Sequence, residues 1–172
     1  MKIVLCGYMG SGKSKVGRLL ANKLSLKNLD LDEVIEENEQ MSIAEIFSIK
    51  SEIYFRKKEN EVLKSLLSNS ESFILALGGG APCYANNLEL LKENKQVKLI
   101  YLKVDVNVLS DRLFEEKENR PLIRSQKSRA DLNDFIRKHL FERQFYYMQS
   151  DLILDVTSLS LKETVDLIQQ KL

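Results

Sequence analysis

An eight-residue glycine-rich stretch near the N terminus constrains this chain more than any other feature. Residues 7–14 read Gly-Tyr-Met-Gly-Ser-Gly-Lys-Ser and match the Walker A pattern G-x-x-x-x-G-K-[ST] without a mismatch. The stretch follows the apolar run of residues 3–6 and opens a helical pattern in which Val16, Leu19 and Leu20 recur at spacings of three and four. A strand, a loop and a helix in this order surround a phosphate with backbone N–H groups and the positive end of the helix. The chain is therefore predicted to bind a nucleotide.

Other short apolar runs predict further strands. One ends at Asp30, and the others cover residues 73–77, 97–102 and 152–154, with helical patterns between them. Strands that alternate with helices, several of them apolar on both faces, are typical of a mainly parallel sheet covered on both sides. We therefore expect a three-layer α/β/α P-loop NTPase-type fold with a five-stranded, mainly parallel sheet. A length of 172 residues predicts one domain over residues 1–172.

Composition excludes several classes of protein. The formal net charge of +1 argues against wholesale binding to nucleic acid or to an anionic membrane. No apolar run approaches the ~20 residues that span a bilayer, and the first residues do not resemble a signal peptide. Cys6 and Cys83 form neither a disulfide framework nor a metal-ligand spacing, which indicates a reducing compartment. We expect a cytoplasmic protein, and a monomer, because no exposed apolar stripe is evident.

The Walker motif assigns roles to its last two residues, and two carboxylates follow the second strand. Lys13 is expected to reach the β- and γ-phosphates, and the Ser14 hydroxyl to ligate Mg²⁺. Along an extended segment, Asp30 and Asp32 point the same way. We expect Asp30 to join the magnesium shell through water, and Asp32 to orient the attacking hydroxyl and accept its proton. The alternative is that Asp32 only caps a following helix.

A helix predicted over residues 51–68 carries charges on its apolar face. At about 100° per residue, Glu59 falls within the stripe that contains Phe55, and Arg56 lies at the edge of that stripe. A carboxylate that faces the core is costly unless it is paired, and Arg56 is three positions away. Either Glu59 holds Arg56 as a fork for a substrate anion, or the pair only fixes the packing of the helix.

A second helix, predicted over residues 130–148, places Arg143 and His139 on the same face as Leu132 and Ile136. No carboxylate occupies the turn that faces Arg143, so this arginine is interpreted as binding a substrate anion. His139 is the only histidine. We interpret it as a partly buried side chain with a local partner, because phosphoryl transfer does not require a histidine base.

Two further segments favour ligand contacts. Residues 78–80 are three glycines directly after a strand, where a ligand can approach the backbone and its N–H groups, although a sharp turn alone would also explain them. Residues 115–129 are polar and basic, with Arg120 and Arg124 among them. This composition predicts a mobile lid that closes over the phosphates, excludes water and delivers an arginine, or else a solvated surface loop.

Taken together, these residues resemble the shikimate kinase family. The resemblance runs nearly from end to end, and the motifs occur in the family's order: the Walker A stretch, Asp30-x-Asp32, Phe55-Arg56 with Glu59, Gly78-Gly79-Gly80, Arg120-Pro121-Leu122 and Arg143. The resemblance implies ATP- and Mg²⁺-dependent phosphorylation of the 3-hydroxyl of shikimate, in the biosynthesis of aromatic amino acids. The chain departs from the family pattern at Lys15, where Thr is common, and at residues 144–147, which replace a Pro-Leu-Tyr run.

The resemblance also implies which residues act. Lys13, Asp32 and Arg120 would be catalytic, with Arg120 as the lid arginine on ATP and Arg112 stacked on adenine. The implied nucleotide contacts are Gly10, Ser11, Gly12, Lys13, Ser14, Lys15, Arg112 and Arg120. The implied acceptor contacts are Asp32 on the ring hydroxyls, Arg56 and Arg143 on the carboxylate, and the glycines Gly78, Gly79 and Gly80, of which Gly79 would use its N–H.

Two other functions stay open on the sequence. One is another small-molecule P-loop kinase, acting on gluconate or a nucleotide, although two inward arginines and an aspartate suit a carboxylate-bearing polyol better. The other is a catalytically inactive nucleotide-binding regulator, against which the intact Lys13 and Ser14 argue. A GTPase is excluded because residues 94–97 read Asn-Lys-Gln-Val and lack the aspartate that recognises guanine. The family that the chain resembles also has a C-terminal loop that contacts adenine. In this chain the loop would lie near Thr157 and Ser158, and the sequence does not indicate which residues make the contact.

Overall fold

The computed structural model describes residues 1–117 and 122–172. The strands are β1 (Lys2–Cys6), β2 (Lys27–Asp30), β3 (Phe73–Ala76), β4 (Val97–Lys103) and β5 (Leu152–Asp155). The helices are α1 (Lys13–Leu24), α2 (Leu31–Glu39), α3 (Ile43–Ile49), α4 (Glu52–Ser68), α5 (Asn87–Glu93), α6 (Val106–Glu116), α7 (Arg129–Tyr147) and α8 (Leu161–Lys171), and a 3-10 turn covers Ala81–Cys83.

The five strands form one parallel sheet in the order β2-β3-β1-β4-β5. Every residue of β1 and β3 is buried, as expected of central strands covered on both faces. Helix α1 packs against α8 and against β2 and β3, while α6 packs against α7. The three-layer α/β/α fold and its parallel five-stranded sheet are confirmed.

The strand register brings three loops together at one edge of the sheet. Leu5 of β1 pairs with Ala76 of β3, and Ala76 also pairs with Asp30 of β2. Because the three strands are parallel and end at the same level, the loops that follow them lie side by side. The chain also switches sides of the sheet at β1, and ligands bind at such switch points in open α/β sheets.

The segment after β2 differs from the expected extended conformation. Helix α2 already begins at Leu31, and the Asp30 side chain caps it by accepting a hydrogen bond from the backbone N–H of Asp32 at 3.1 Å. The prediction of one extended segment over Asp30 and Asp32 is wrong, although both residues line the same cavity. The alternative in which Asp32 is the cap is also wrong, because Asp30 is the cap. The backbone changes from strand to helix between the two residues, so a strand period does not apply to them.

The segment predicted as a lid is partly regular structure. Its first residues, Glu115 and Glu116, belong to α6, and Arg129 begins α7. Ile123 within it is fully buried, which the polar composition did not indicate. Arg129 forms an ion pair with Asp111 at 2.6 Å. Mobility of this segment stays a prediction.

The outer face of α7 presents large apolar side chains to solvent. Phe141 is 82% exposed and Phe145 is 70% exposed, with Met148 one turn further on. The prediction that no apolar stripe is exposed is therefore wrong. Helix α7 has apolar side chains on its inner and its outer face, so the pattern of its inner face does not reveal the outer one. No helix in the described ranges combines the length and the hydropathy that crossing a bilayer requires.

Candidate active site

The loop between β1 and α1 curls into a phosphate-sized cradle because three of its glycines adopt positive φ. Gly7, Gly10 and Gly12 have φ of 143°, 79° and 91°. At Gly7 a side chain is excluded by space as well, since a Cβ would lie 2.8 Å from the carbonyl oxygen of Leu102. Gly12 precedes α1 directly, so the N-terminal N–H groups of that helix face the cradle.

Lys13 is the first residue of α1, and its side chain folds back over the loop. Its Nζ donates hydrogen bonds to the carbonyl oxygens of Gly7 at 2.8 Å and Tyr8 at 2.9 Å. Only 8% of this residue is exposed. The ammonium is therefore held at the mouth of the cradle, where it can reach the terminal phosphates of a nucleotide.

Ser14 and Asp30 lie together beside the cradle. The Ser14 hydroxyl donates a hydrogen bond to the Asp30 carboxylate at 2.7 Å. A hydroxyl and a carboxylate are hard oxygen ligands, and Mg²⁺ in phosphate sites uses one or two protein ligands together with phosphates and water. The pair therefore fits a magnesium site that phosphates and water would complete. The described residues contain no cluster of three or more His, Cys, Asp or Glu side chains that could hold a metal ion.

Asp32 reaches the same cavity from the first turn of α2. Burial raises the pKa of its carboxyl to about 6, and the neighbouring Asp30 adds to the shift, while Lys13 and Arg56 oppose it. Gly78 lies against this carboxylate, and a Cβ there would sit 2.8 Å from Oδ1 of Asp32. A carboxyl with a pKa near neutrality can accept a proton in the transition state more effectively than an ordinary aspartate.

The predicted ion pair on α4 is confirmed. Both Nη1 contacts of Arg56 go to the Glu59 carboxylate, at 2.9 Å and 3.1 Å, and Glu59 is fully buried. Burial raises the pKa of Glu59 to about 7, while the guanidinium of Arg56 acts in the opposite direction. Helical periodicity placed both side chains correctly because they lie three positions apart on a regular helix.

Two further contacts orient Arg56, and the sequence did not indicate them. Its guanidinium lies 3.9 Å from the ring centroid of Tyr84, a stacked arrangement that fixes the plane of the fork. The backbone of Gly80 passes directly beneath, since a Cβ there would lie 2.8 Å from Nη2. Tyr84 follows the glycine triplet by only four residues, but nothing in the sequence marks it as a stacking partner.

Arg143 projects from α7 toward the glycine triplet. Only 9% of it is exposed, and its Nη1 lies 3.8 Å from the position that a Cβ on Gly79 would take. Within residues 1–117 and 122–172, no carboxylate forms an ion pair with this arginine. One turn further along α7, the Tyr147 hydroxyl donates a hydrogen bond to the carbonyl oxygen of Gly79. A buried cation beside an accessible backbone is suited to an anionic ligand.

His139 has the local partner that the sequence analysis expected. Its Nδ1 is hydrogen-bonded to the Tyr8 hydroxyl at 2.8 Å. Burial lowers the pKa of the imidazole, and the charge of Arg143 lowers it further. The histidine therefore supports the surrounding structure and stands one turn from Arg143 rather than in the cradle.

One open cavity of about 580 Å³ connects the cradle with the carboxylates and with Gly78 and Gly79. Of the predicted acceptor contacts, Arg56, Gly80 and Arg143 do not line it. It is lined by Met9, Gly10, Gly12, Lys13, Ser14, Lys15, Asp30, Asp32, Leu77, Gly78, Gly79, Arg112, Glu116, Leu159, Ser160 and Leu161. Arg112 lies on the side of the phosphate loop, where its Nη1 donates a hydrogen bond to the Gly10 carbonyl oxygen at 3.1 Å.

The cavity wall formed by Leu159, Ser160 and Leu161 was not predicted. Ser160 and Glu163 form a capping box at the start of α8, and this sequence signal could have identified a helix N terminus at the cavity. Thr157 lies in the segment that precedes this wall. Its hydroxyl oxygen accepts a hydrogen bond from the backbone N–H of Asp105 at 3.0 Å. Arg120, the predicted lid arginine, lies outside the described residues.

Known proteins resemble this chain in sequence and in fold. The family model described as shikimate kinase matches residues 9–172. A shikimate kinase of Flavobacterium psychrophilum is 49% identical over 146 residues, which cover 85% of this chain and 84% of the relative.

Two solved structures are similar over nearly the whole fold. A crystal structure of shikimate kinase from Bacteroides thetaiotaomicron is 32% identical with a TM-score of 0.90, covering 99% of this chain and 97% of its own. Shikimate kinase from Acinetobacter baumannii in complex with shikimate is also 32% identical, with a TM-score of 0.85 and coverage of 99% and 91%. The chain belongs to the shikimate kinase family.

Proposed function

We propose that this chain is a shikimate kinase, which transfers the γ-phosphoryl group of ATP to the 3-hydroxyl of shikimate and releases ADP and 3-phosphoshikimate. The observation that carries the proposal is the pair of arginines, Arg56 and Arg143, whose guanidinium groups lie against Gly80 and Gly79. Gly79 also lines the cavity that contains the phosphate cradle. Two guanidinium groups next to an aspartate suit a small carboxylic acid that also carries hydroxyl groups. The relatives share this activity by name.

On the nucleotide side, the phosphate loop and the start of α1 hold the triphosphate. The N–H groups around Gly10, Ser11 and Gly12 would face its oxygens, and Lys13 would neutralise charge on the transferring phosphoryl group. Lys15 lines the same cavity at the surface of α1, where its ammonium can contact a phosphate. Arg112 is proposed to stack on the adenine, and Arg120 of the lid to reach the phosphates.

Ser14 and Asp30 would hold Mg²⁺, with Asp30 acting through water. When bound, the ion neutralises the β- and γ-phosphate oxygens and lowers the charge that the acceptor must approach. The 2.7 Å hydrogen bond between the two side chains already brings their oxygens together on the cradle side of the cavity.

Asp32 is proposed to orient the attacking hydroxyl and to take its proton. As the acceptor oxygen forms its bond to the γ-phosphorus, the bond from that phosphorus to the β–γ bridging oxygen breaks, and ADP leaves with that oxygen. The proton of the hydroxyl passes to the Asp32 carboxylate, whose raised pKa suits this role near neutral pH. Lys13 lies close enough to affect the same carboxyl, so donor and acceptor sites adjoin.

On the acceptor side, Arg56 and Arg143 would bind the carboxylate, and the glycines would admit the ring. Glu59 and Tyr84 hold the Arg56 guanidinium in place, so that it loses little entropy on binding. Its Nη2 also lies 3.4 Å from the exposed Glu52, which the acceptor carboxylate would displace. The N–H of Gly79 would contact a hydroxyl or the carboxylate, while Gly78 and Gly80 leave room for Asp32 and Arg56.

We propose that the protein carries out the reaction as a monomer in the cytoplasm. Both cysteines are free thiols, which agrees with a reducing compartment. Sedimentation of the purified protein at assay concentration tests the oligomeric state, and a dimer would point to the exposed phenylalanines of α7.

An assay of ADP release with different acceptors tests the function. Shikimate should stimulate ADP release strongly, whereas gluconate and nucleoside monophosphates should leave it at the level without acceptor. Stimulation by gluconate or a nucleotide instead would identify another small-molecule kinase. Tight ATP binding without turnover on any acceptor would identify an inactive nucleotide-binding regulator.

A further inference from the structure

Tyr8, the second residue of the phosphate loop, has a side chain that no proposed chemical step uses. It is 1% exposed, and its hydroxyl is hydrogen-bonded to Nδ1 of His139 at 2.8 Å. The two rings meet edge to face, with centroids 5.6 Å apart. The Walker pattern leaves this position open, so the nucleotide site itself does not demand a tyrosine.

The backbone of Tyr8 is part of the cradle. Its carbonyl oxygen accepts hydrogen bonds from Nζ of Lys13 at 2.9 Å and from the N–H of Ser11 at 3.2 Å. One residue therefore contacts the phosphate-binding ammonium through its backbone and helix α7 through its side chain.

On α7, His139, Arg143 and Tyr147 follow one another at intervals of four residues, which stacks them along one side of the helix. His139 is bound to the phosphate loop, and Tyr147 is bound to the carbonyl oxygen of Gly79 in the glycine triplet. Arg143 therefore lies between two hydrogen bonds of α7. One joins the helix to the phosphate loop, and the other joins it to the glycine triplet.

The bond between Tyr8 and His139 joins two neutral groups. Burial raises the pKa of the Tyr8 phenol, and burial together with the Arg143 charge lowers the pKa of His139. A neutral imidazole offers one donor and one acceptor, and a phenol can satisfy either. The bond therefore depends on position rather than on charge.

We propose that Tyr8 and His139 are positioning residues that transmit occupancy of the phosphate loop to Arg143, so that bound nucleotide tightens binding of the acceptor carboxylate. A nucleotide orders the loop and with it Tyr8, which in turn orders the turn of α7 that carries Arg143. By linkage, the acceptor tightens nucleotide binding by the same factor. One neutral hydrogen bond sets that factor at about 3- to 10-fold.

Nuclear magnetic resonance of the sole histidine tests the link without any acceptor. Magnesium with the non-hydrolysable analogue AMP-PNP should shift the ¹⁵Nδ1 resonance of His139 in the wild-type protein, and the Tyr8→Phe variant should lose that shift. An unchanged resonance in the wild type, or an equal shift in Tyr8→Phe, would overturn the proposal. Because shikimate is absent, this result does not depend on the proposed function.

Equilibrium binding of shikimate, which rests on the proposed function, tests the consequence. The ratio of the shikimate Kd without AMP-PNP to the Kd with it should be about 3 to 10 in the wild type, the range of one neutral hydrogen bond. It should fall to about 1 in Tyr8→Phe, in His139→Leu and in the double variant, because each removes the same bond. His139→Asn, which keeps a polar atom near the Nδ1 position, should restore most of the ratio.

Lys138→Leu, an exposed neighbour on α7, serves as the matched control and should keep the wild-type ratio. A wild-type ratio in His139→Leu would overturn the link while leaving the kinase assignment intact. Failure of the wild type to bind shikimate at all would instead overturn the proposed function, and the histidine resonance would still decide the link.

Discussion

Asp32 is placed where its charge lowers the stability of the protein, and we propose that the same carboxylate takes part in the reaction. Burial raises the pKa of this carboxyl from 3.8 to about 6. A shift of about two units corresponds to about 3 kcal/mol, at 1.36 kcal/mol per unit. Above pH 6 the carboxyl is ionised in the folded and unfolded states alike, so the folded state carries this full cost at pH 7.

The sign of the pH dependence follows from the direction of the shift. Between about pH 4 and pH 6 the folded state binds more protons at Asp32 than the unfolded state, so this group makes the free energy of unfolding fall as pH rises. Asp32→Asn removes the titration. The free energy of unfolding of the variant minus that of the wild type should therefore increase by about 2 kcal/mol from pH 4 to pH 7.

Urea denaturation at several pH values measures this difference. Any pH-independent effect of the amide cancels, because only the change with pH is compared. Glu37→Gln, which alters an exposed carboxylate on the same helix, is the control and should show little change with pH. A difference for Asp32→Asn that stays constant from pH 4 to pH 7 would refute the claim that this carboxylate is desolvated.

The same substitution should reduce kcat by about 10²- to 10⁴-fold, the range for loss of a general base. The wild-type kcat/KM for shikimate should fall below about pH 6, since a protonated Asp32 cannot accept a proton. The residual activity of Asp32→Asn should lack this acidic limb. Retention of the limb in the variant would assign it to another group.

Three further substitutions separate the roles of the other site residues. Lys13→Ala should abolish turnover, because the transferring phosphoryl group loses its ammonium partner, and single-turnover kinetics measure this loss. Arg143→Ala should raise the KM for shikimate by about 10- to 100-fold, as expected from losing a charge-assisted contact, and leave the Kd for ATP nearly unchanged. Gly80→Ala should also raise the KM for shikimate, because its Cβ would lie 2.8 Å from Nη2 of Arg56. Denaturation should show lower stability as well, since a displaced Arg56 leaves the buried Glu59 without its partner.

These outcomes can each be contradicted separately. Near-normal kcat in Lys13→Ala would remove that lysine from the transition state. A collapse of ATP affinity in Arg143→Ala would mean that α7 serves the nucleotide, and Arg137→Ala on the exposed side of α7 is the matched control. An unchanged KM in Gly80→Ala would show that Arg56 does not need the position that the structure gives it.

The sheet and the regular helices could be predicted because their signals are local. The central strands are continuous apolar runs, and a sheet covered on both faces requires such runs. The ion pair of Arg56 and Glu59 followed from helical spacing alone. Asp30 and Asp32 were assigned the wrong backbone because the strand ends and the helix begins between them, and the amino-acid sequence there permits both periods.

Contacts between distant segments could not be predicted. Tyr8 and His139 are separated by 131 positions, and neither residue type signals the other. Tyr84 stacks on Arg56 only because the 3-10 turn after the glycines returns the chain to α4. Ile123 is buried within a segment whose composition is polar, since a single apolar side chain gives no periodicity.

The central claim is that the phosphates of the nucleotide bind next to the acceptor molecule. The arginines bind the carboxylate of this acceptor, and its hydroxyl accepts the phosphoryl group. Incubation of the purified protein with ATP, Mg²⁺ and shikimate, followed by mass spectrometry and ³¹P NMR of the product, tests it directly. The account predicts 3-phosphoshikimate in an amount equal to the ADP formed. Inorganic phosphate as the only phosphorylated product besides ADP, at a rate that does not depend on shikimate, would contradict it.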